Sequence, residues 1–481
     1  MSAAEKAGQV IVAGYPGTNA PLTLLRRYHV GGFIMMGYNV ASVQQVRSVN
    51  LALQAEARRQ GRDWPLAIGV DQEGGTVARV KMSLTEFPSY MTLGAARDAR
   101  LARDVARASG KELRAIGFTM VFAPDADVTS GPGDPTIGSR SAGSDAQVVA
   151  EIVKGSLRGY DEAGIVAVPK HFPGHGSVTA DSHTTLPVQR ETLAELAASD
   201  LVPFKAAIGA GAEAVMVAHI DVRSLDPGTP SSLSRKVIGG LLRQRLGFEG
   251  VTVTDALQMA GAAGKYGSAE AGVRALVAGA DVLLLPSDAG ALHGAILRAL
   301  QSGRLPQARL DEAATRSVAL MLHQAATAKV AARASADASS SAAIGAGGAV
   351  ARTESLRGLT IVSGPCKGRL VGRQVRVVGG QAKDRSRFTA AARAAGLQVG
   401  DRGDLVRLLG HGSPGQPGAV VVSLDTPYAL GRSKAQTARI ALYGRTPTAF
   451  RALADVLTGR ARGTGRLPVR VAGVGPGTGC P

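Results

Sequence analysis

Short apolar runs of four or five residues recur along the first 285 or so positions, between longer stretches whose apolar residues return every three or four places. The short runs predict strands over Gly8–Val12, Gly32–Met36, Leu66–Val70, Phe118–Phe122, Ile165–Val168, Ala214–Ala218, Val251–Thr254 and Asp281–Leu285. The long stretches predict helices, among them Ala41–Arg59, Asp98–Ile116, Asp145–Ala163 and Leu193–Ile208, with a last one over Leu310–Gln324. Continuous rather than alternating apolar runs suit parallel strands covered on both faces. Eight strand–helix units in about 300 residues are the pattern of a TIM-type (β/α)8 barrel.

Beyond the eighth unit the pattern changes. Residues 326–354 turn to Ala, Ser and Gly, as in Ala334–Ala343, and read as a linker with a helix at one end. A second alternation then predicts strands over Leu359–Ser363, Gln374–Val378 and Ala419–Leu424 and a helix over Arg387–Ala395. The expected class is therefore α/β: a barrel over 1–325 and a smaller layered α/β domain over 355–481, which suits a chain of 481 residues. The Gly-rich tail, Gly473–Pro481, reads as irregular.

Composition narrows the classes. Hydrophobic residues make up 45% and charged residues 19%, a globular balance. No apolar run reaches the ~18 residues of a membrane span. The start, Met1 to Lys6, lacks the basic and apolar segments of a signal peptide, so a soluble protein is expected. The formal charge of +18 comes mainly from Arg scattered along the chain, with only 4% aromatic residues. Without a basic block or stacking aromatics, nucleic-acid binding is not expected. A positive surface would suit an anionic polymer such as bacterial cell wall. The two cysteines, Cys366 and Cys480, have no zinc-type spacing. They read either as unrelated thiols, which would fit the cytoplasm, or as a disulfide tying the tail to the second domain, which would imply an oxidising compartment and a truncated start. Neither a metal nor another cofactor is expected, and the oligomeric state is left open.

In a parallel barrel, the loops after the strands converge over one mouth. Polar residues stand directly after the predicted strands: Asn39, Asp71, Asp125 and Asp127, Lys170 and His171, His219, and Asp255. Four of the eight histidines lie between 171 and 219, around Lys170-His171-Phe172-Pro173-Gly174-His175-Gly176 and Asp181-Ser182-His183-Thr184. Three His and an Asp could ligate zinc, but none of them share a helical face and the stretch is full of Gly and Pro. In Asp-Ser-His, the carboxylate and imidazole can instead hydrogen-bond across a turn. That orients the ring and prepares it to give and retake a proton near neutral pH.

Those two segments resemble the signature of family 3 glycoside hydrolases, in the bacterial β-N-acetylglucosaminidase (β-N-acetylhexosaminidase) branch. Asp71-Gln72-Glu73-Gly74-Gly75, Ile137-Gly138-Ser139-Arg140-Ser141, Met216-Val217-Ala218-His219 and Val253-Thr254-Asp255-Ala256-Leu257-Gln258-Met259 are similar to further family motifs, in the same order. Ala441-Leu442-Tyr443-Gly444 and Gly465-Arg466-Leu467-Pro468-Val469 resemble the second domain that many members carry. The resemblance implies an exo-acting, retaining hydrolase that releases terminal β-linked N-acetylglucosamine. Asp255 would be the nucleophile, and His183 held by Asp181 the acid/base. Asp71, Arg140, Lys170 and His171 would bind the terminal sugar, while His219 and Met259 would line the pocket. His175 reads as a loop-stabilising residue. Thr76 and Ala256 depart from the family pattern and leave the neighbouring subsite open. Three alternatives remain: a Schiff-base lyase using Lys170, a sugar-binding protein without turnover, and a β-glucosidase or phosphorylase of the same family.

Overall fold

A computed structural model describes residues 1–334 and 341–481. Eight short strands occupy the positions where the apolar runs fall: β1 (Ile11–Ala13), β2 (Gly32–Met35), β3 (Ala67–Val70), β4 (Met120–Val121), β5 (Val166–Ala167), β6 (Ala214–Val217), β7 (Val251–Thr254) and β8 (Leu283–Leu284). Six of them form a parallel sheet in the order β8-β1-β2-β3-β4-β5, with Val12 opposite Gly32, Phe33 opposite Ile68 and Met120 opposite Val166. β6 and β7 pair in parallel from Ala214↔Val251 to Val217↔Thr254. Single parallel bridges, Phe172↔Val217 and Val253↔Val282, lie on either side of that pair. All eight strands consist of buried residues.

Differences from the predicted boundaries have local causes. Gly8 and Gln9, expected in the first strand, belong to a helix over Ala3–Gln9, where Ser2 and Glu5 form a capping box. The helix over Ala99–Ala115 starts where the Asp98 carboxylate accepts from the N–H groups of Arg100 and Leu101. The helix over Ala146–Ala163 ends at Gly164, whose φ of 74° closes the last turn. The span expected over Leu193–Ile208 divides into Leu193–Ala198 and Leu201–Gly209. Pro203 is tolerated because it falls in the first turn of the second helix, where its missing N–H costs nothing. The helix expected over Leu310–Gln324 runs from Gln307 to Ala334, since the Ala-rich continuation favours helix. Residues 335–340 of the expected linker lie outside the described residues, and a further helix covers Gly348–Gly358.

The C-terminal region is built on a second six-stranded sheet: β9 (Thr360–Ser363), β10 (Gln374–Gly379), β11 (Gln398–Val399), β12 (Asp404–Leu409), β13 (Gly418–Ser423) and β14 (Ala435–Ala441). Its order is β9-β14-β13-β12-β10-β11, parallel except where β9 meets β14. Helices Ala382–Ala394 and Pro447–Leu457 supply Phe388, Phe450 and Leu453 to the apolar core around this sheet. Cys366 and Cys480 are joined by a disulfide with Cα atoms 5.6 Å apart, as the second cysteine reading expected. A separate apolar seam joins this region to the helix over Tyr90–Ala96, where Met91 and Ala95 pack with Tyr443, Leu467 and Val469. Across that seam Ser89 Oγ donates to the Tyr443 carbonyl at 2.7 Å, and the Arg466 N–H donates to the Ala95 carbonyl at 2.9 Å. Among the described residues, no helix is long and apolar enough to cross a membrane.

Candidate active site

The residues that follow β3, β4, β5 and β7 converge on one charged cluster. Glu73 stands at its centre, with its side chain 1% exposed. Its two oxygens accept from Arg140 Nε and Nη2, each at 2.9 Å, and Lys170 Nζ lies 2.7 Å from Oε1. Burial alone would raise the pKa of Glu73, but the charges of Arg140 and Lys170 more than offset it and hold the carboxyl well below the usual range. Lys170 also donates to Asp71 Oδ1 at 2.7 Å, while Arg79 donates to Asp71 Oδ2 at 3.2 Å. Glu73 fixes Arg140 and Lys170 as a rigid pair of donors. Asp71 stays partly exposed at their edge.

Below this layer lie two carboxyls in contrasting states. Asp127 accepts from His171 Nδ1 at 2.7 Å and from the His175 N–H at 2.6 Å. Burial opposes its charge, but His171 prevails and its pKa is lowered. Asp125 is fully buried, and its Oδ2 accepts no hydrogen bond although Arg140 Nη2 lies 3.5 Å away. Burial and the neighbouring Asp127 charge push Asp125 well above the usual carboxyl range. Arg140 Nη2 lies 3.2 Å from His171 Nε2, and a guanidinium can only donate. On the other side of the ring, Nδ1 faces Asp127.

Asp255 follows β7 and is only partly buried. Its Oδ1 accepts from the Ala256 N–H at 2.7 Å. Burial would favour the neutral acid, yet His171, His219, the Ala256 N–H and Lys170 together lower its pKa and keep it ionised. His219 beneath it is buried, with both ring nitrogens engaged: Nδ1 with Ser232 Oγ at 2.6 Å and Nε2 with the Ala256 carbonyl at 3.1 Å. A carbonyl cannot donate, so Nε2 carries the proton and Nδ1 accepts from the hydroxyl. Met259 is buried and stands directly before the helix over Ala260–Tyr266.

The Asp181–His183 turn reaches the same mouth from above. Asp181 Oδ1 lies 2.7 Å from His183 Nδ1 and also accepts the His183 N–H at 2.9 Å. The two side chains are 41% and 63% exposed. The turn is held over Asp255's own segment, because the Gly261 N–H donates to Ser182 O and the Ala260 N–H to His183 O. Gly261 has to be glycine-sized: a Cβ there would lie 2.9 Å from the His219 Cβ. His175 anchors the loop through Nε2 to Ser182 Oγ at 2.8 Å; burial and His171 lower its pKa to about 4.

The structure thus brings Asp71, Arg140, Lys170, His171, Asp255, His219 and Met259 to one mouth, with the Asp181–His183 turn above them. Asn39 does something else: its side chain bonds the carbonyls of Tyr15 and Gly17 and latches a loop. Sequence reasoning gave no role to Glu73, although two cations at neighbouring strand ends call for a buried counter-charge. Of the four histidines weighed as ligands, His175 turns to Ser182 and His183 to Asp181. Asp125, Asp127 and His171 have ligand atoms within 4.8 Å of one another. Arg140 beside Asp125 nevertheless places positive charge where an ion would sit.

A mouth lined by paired carboxylates and fixed cationic donors, below an imidazole–carboxylate turn, offers hydrogen-bond partners suited to a polar, hydroxyl-rich ligand. Residues 3–320 match the Glycosyl hydrolase family 3 N terminal domain, and the chain belongs to that family and is a glycosidase. It is 35% identical over 325 residues to Beta-hexosaminidase LpqI of Mycobacterium tuberculosis, covering 66% of this chain and 82% of that one. It is 37% identical over 279 residues to Beta-hexosaminidase A of Pseudoalteromonas piscicida, covering 55% of this chain and about half (47%) of that longer one. Among solved structures it resembles the family 3 beta-N-acetylglucosaminidase of Paenibacillus sp. str. FPU-7, with a TM-score of 0.86 and 31% identity, over 98% of this chain and 99% of that one.

Proposed function

We propose that this protein is an exo-acting, retaining β-N-acetylhexosaminidase. The observation that carries the reading is the pairing of an ionised, partly exposed Asp255 with an exposed imidazole that Asp181 orients over the same mouth. Asp255 attacks the anomeric carbon while the His183 imidazolium protonates the departing oxygen. The imidazole, now neutral, takes a proton from water, which displaces Asp255 from the sugar and restores both groups. Asp71, Arg140, Lys170 and His171 hold the hydroxyls of the terminal sugar, and His219 and Met259 shape the floor. Glu73 positions Arg140 and Lys170.

Two finer statements belong with this reading. The bridges at Phe172↔Val217 and Val253↔Val282 support reading the eight N-terminal strands as one closed (β/α)8 barrel over 1–325, followed by a separate α/β domain over 355–481. The Cys366–Cys480 disulfide supports a protein that works in an oxidising compartment, outside the cytoplasm, on cell-wall or chitin-type glycans. A neutral imidazole does not repel phosphate as a carboxylate would, so phosphorolysis is the competing outcome. Matched aryl β-glycosides with and without a 2-acetamido group, assayed in phosphate and in a phosphate-free buffer, test the reading. Preference for the acetamido substrate with free sugar as product supports it. Preference for the glucoside, or a sugar 1-phosphate product, overturns it.

A further inference from the structure

Behind the short antiparallel hairpin of Gln72–Gly74 and Val77–Ala78, which carries Glu73, lies a cavity of about 430 Å³, within the roughly 300–1,000 Å³ range of small-molecule sites. It is walled on one side by residues 72–90 of the barrel region and on the other by the C-terminal region, including Asp384, Arg387, Asp425 and Arg445. Most charges in this wall are already matched: Arg387 with Glu86, and Arg445 with Asp384 and Asp425. Lys81 and Lys383 line it as exposed side chains, and Glu354 is the unmatched group that is buried. It lines the cavity from the helix over Gly348–Gly358, is 1% exposed, and neither carboxyl oxygen has a hydrogen-bond partner.

An orphaned buried carboxyl costs stability, and nothing in its own surroundings repays that cost. Burial pushes its pKa well above the usual range, and no neighbouring charge contributes to the shift. The missing partner is a hydrogen-bond donor, and a cationic one would let the acid ionise. We propose that the cavity is a second ligand site, which shares Glu73 with the charged cluster but not Asp255 or the Asp181–His183 turn, and that it takes a small molecule through a primary ammonium group held by Glu354. The ammonium supplies donors for both oxygens and the opposite charge. On binding, Glu354 releases its proton, so affinity rises with pH while the ligand stays protonated. Glu354, the buried acid without a partner, is the group that receives the ammonium.

Glucosamine is a suitable probe, with N-acetylglucosamine as the uncharged control, in calorimetric titrations of the wild type and Glu354→Gln. Any binding at the catalytic mouth is common to both proteins, so the difference isolates the cavity. The expected result is a glucosamine site in the wild type that releases about one proton and weakens at least tenfold in Glu354→Gln, as loss of a charge-assisted hydrogen bond requires. N-acetylglucosamine binding should not differ between the two. Glu354→Leu should lose the site while raising Tm, which separates ligand loss from unfolding. Identical glucosamine isotherms in wild type and Glu354→Gln, or no proton release, would overturn the proposal.

Discussion

Asp200 sits under the loop that carries the Asp181–His183 turn, and it makes that loop's stability depend on pH. It is 2% exposed, and its Oδ1 accepts from Ser177 Oγ at 2.6 Å. Ser177 in turn accepts from Gln189. Burial raises the Asp200 pKa to about 6, with the Ser177 hydroxyl opposing the shift only in part. In the unfolded chain an aspartate titrates near 3.9. Below about pH 4 the group is protonated in both states and costs nothing extra. As pH rises through 4 to 6, the unfolded chain ionises more readily, and the folded state loses stability. Two pKa units correspond to about 2–3 kcal/mol, complete above about pH 7. Asp200→Asn keeps an acceptor for Ser177 but removes the charge. Urea midpoints of both proteins should coincide near pH 4, with the variant gaining up to that amount at pH 7.5. A pH-independent difference, or a variant less stable at pH 7.5 than at pH 4 relative to wild type, would refute the reasoning.

Other expectations follow from the same geometry. The Cys366–Cys480 bridge closes a segment with a separation of 114 residues, so in the chain-entropy model reduction should cost about 4–5 kcal/mol. Guanidinium unfolding with and without reductant, and mass analysis without reduction, would measure it; two free thiols in oxidised protein would contradict the pairing. Glu73→Gln leaves Arg140 and Lys170 short of a buried counter-charge and should cost about 3–5 kcal/mol, divided between a lower Tm and a higher KM. A variant with both unchanged would remove its positioning role. His183→Ala should slow glycosides with poor leaving groups far more than activated aryl glycosides; equal losses would exclude His183 as the acid.

Much of this site was readable in the chain because barrel chemistry lies where strands end. Asp71, Lys170, His171, His219 and Asp255 follow apolar runs directly, so locating the runs located them. Arg140 and the Asp181–His183 turn come from long loops whose course no periodicity reveals; the Asp-Ser-His spacing pointed to the turn, and only motif resemblance pointed to Arg140. Glu73 was hidden because its role exists only once Arg140 and Lys170 converge from residues 67 and 97 positions away. The second sheet was half legible. β13 is a fully buried run, Gly418–Ser423, and showed clearly. β12 and β14 carry Asp404, Arg407, Gln436 and Arg439 among their apolar residues, which blurs the pattern. Glu354 could not be read at all, since a lone acid in an Ala- and Arg-containing helix looks solvent-facing until tertiary packing buries it.

The central claim is that Asp255 becomes covalently attached to the sugar. A 2-deoxy-2-fluoro glycosyl donor with an activated leaving group slows both steps but the second more, so the intermediate accumulates. Peptide mapping by mass spectrometry after such inactivation tests the claim directly. The account predicts one glycosyl group on the peptide holding Val253-Thr254-Asp255-Ala256, and no labelling of Asp255→Ala. Labelling of another carboxylate, or full turnover by Asp255→Ala, would contradict it.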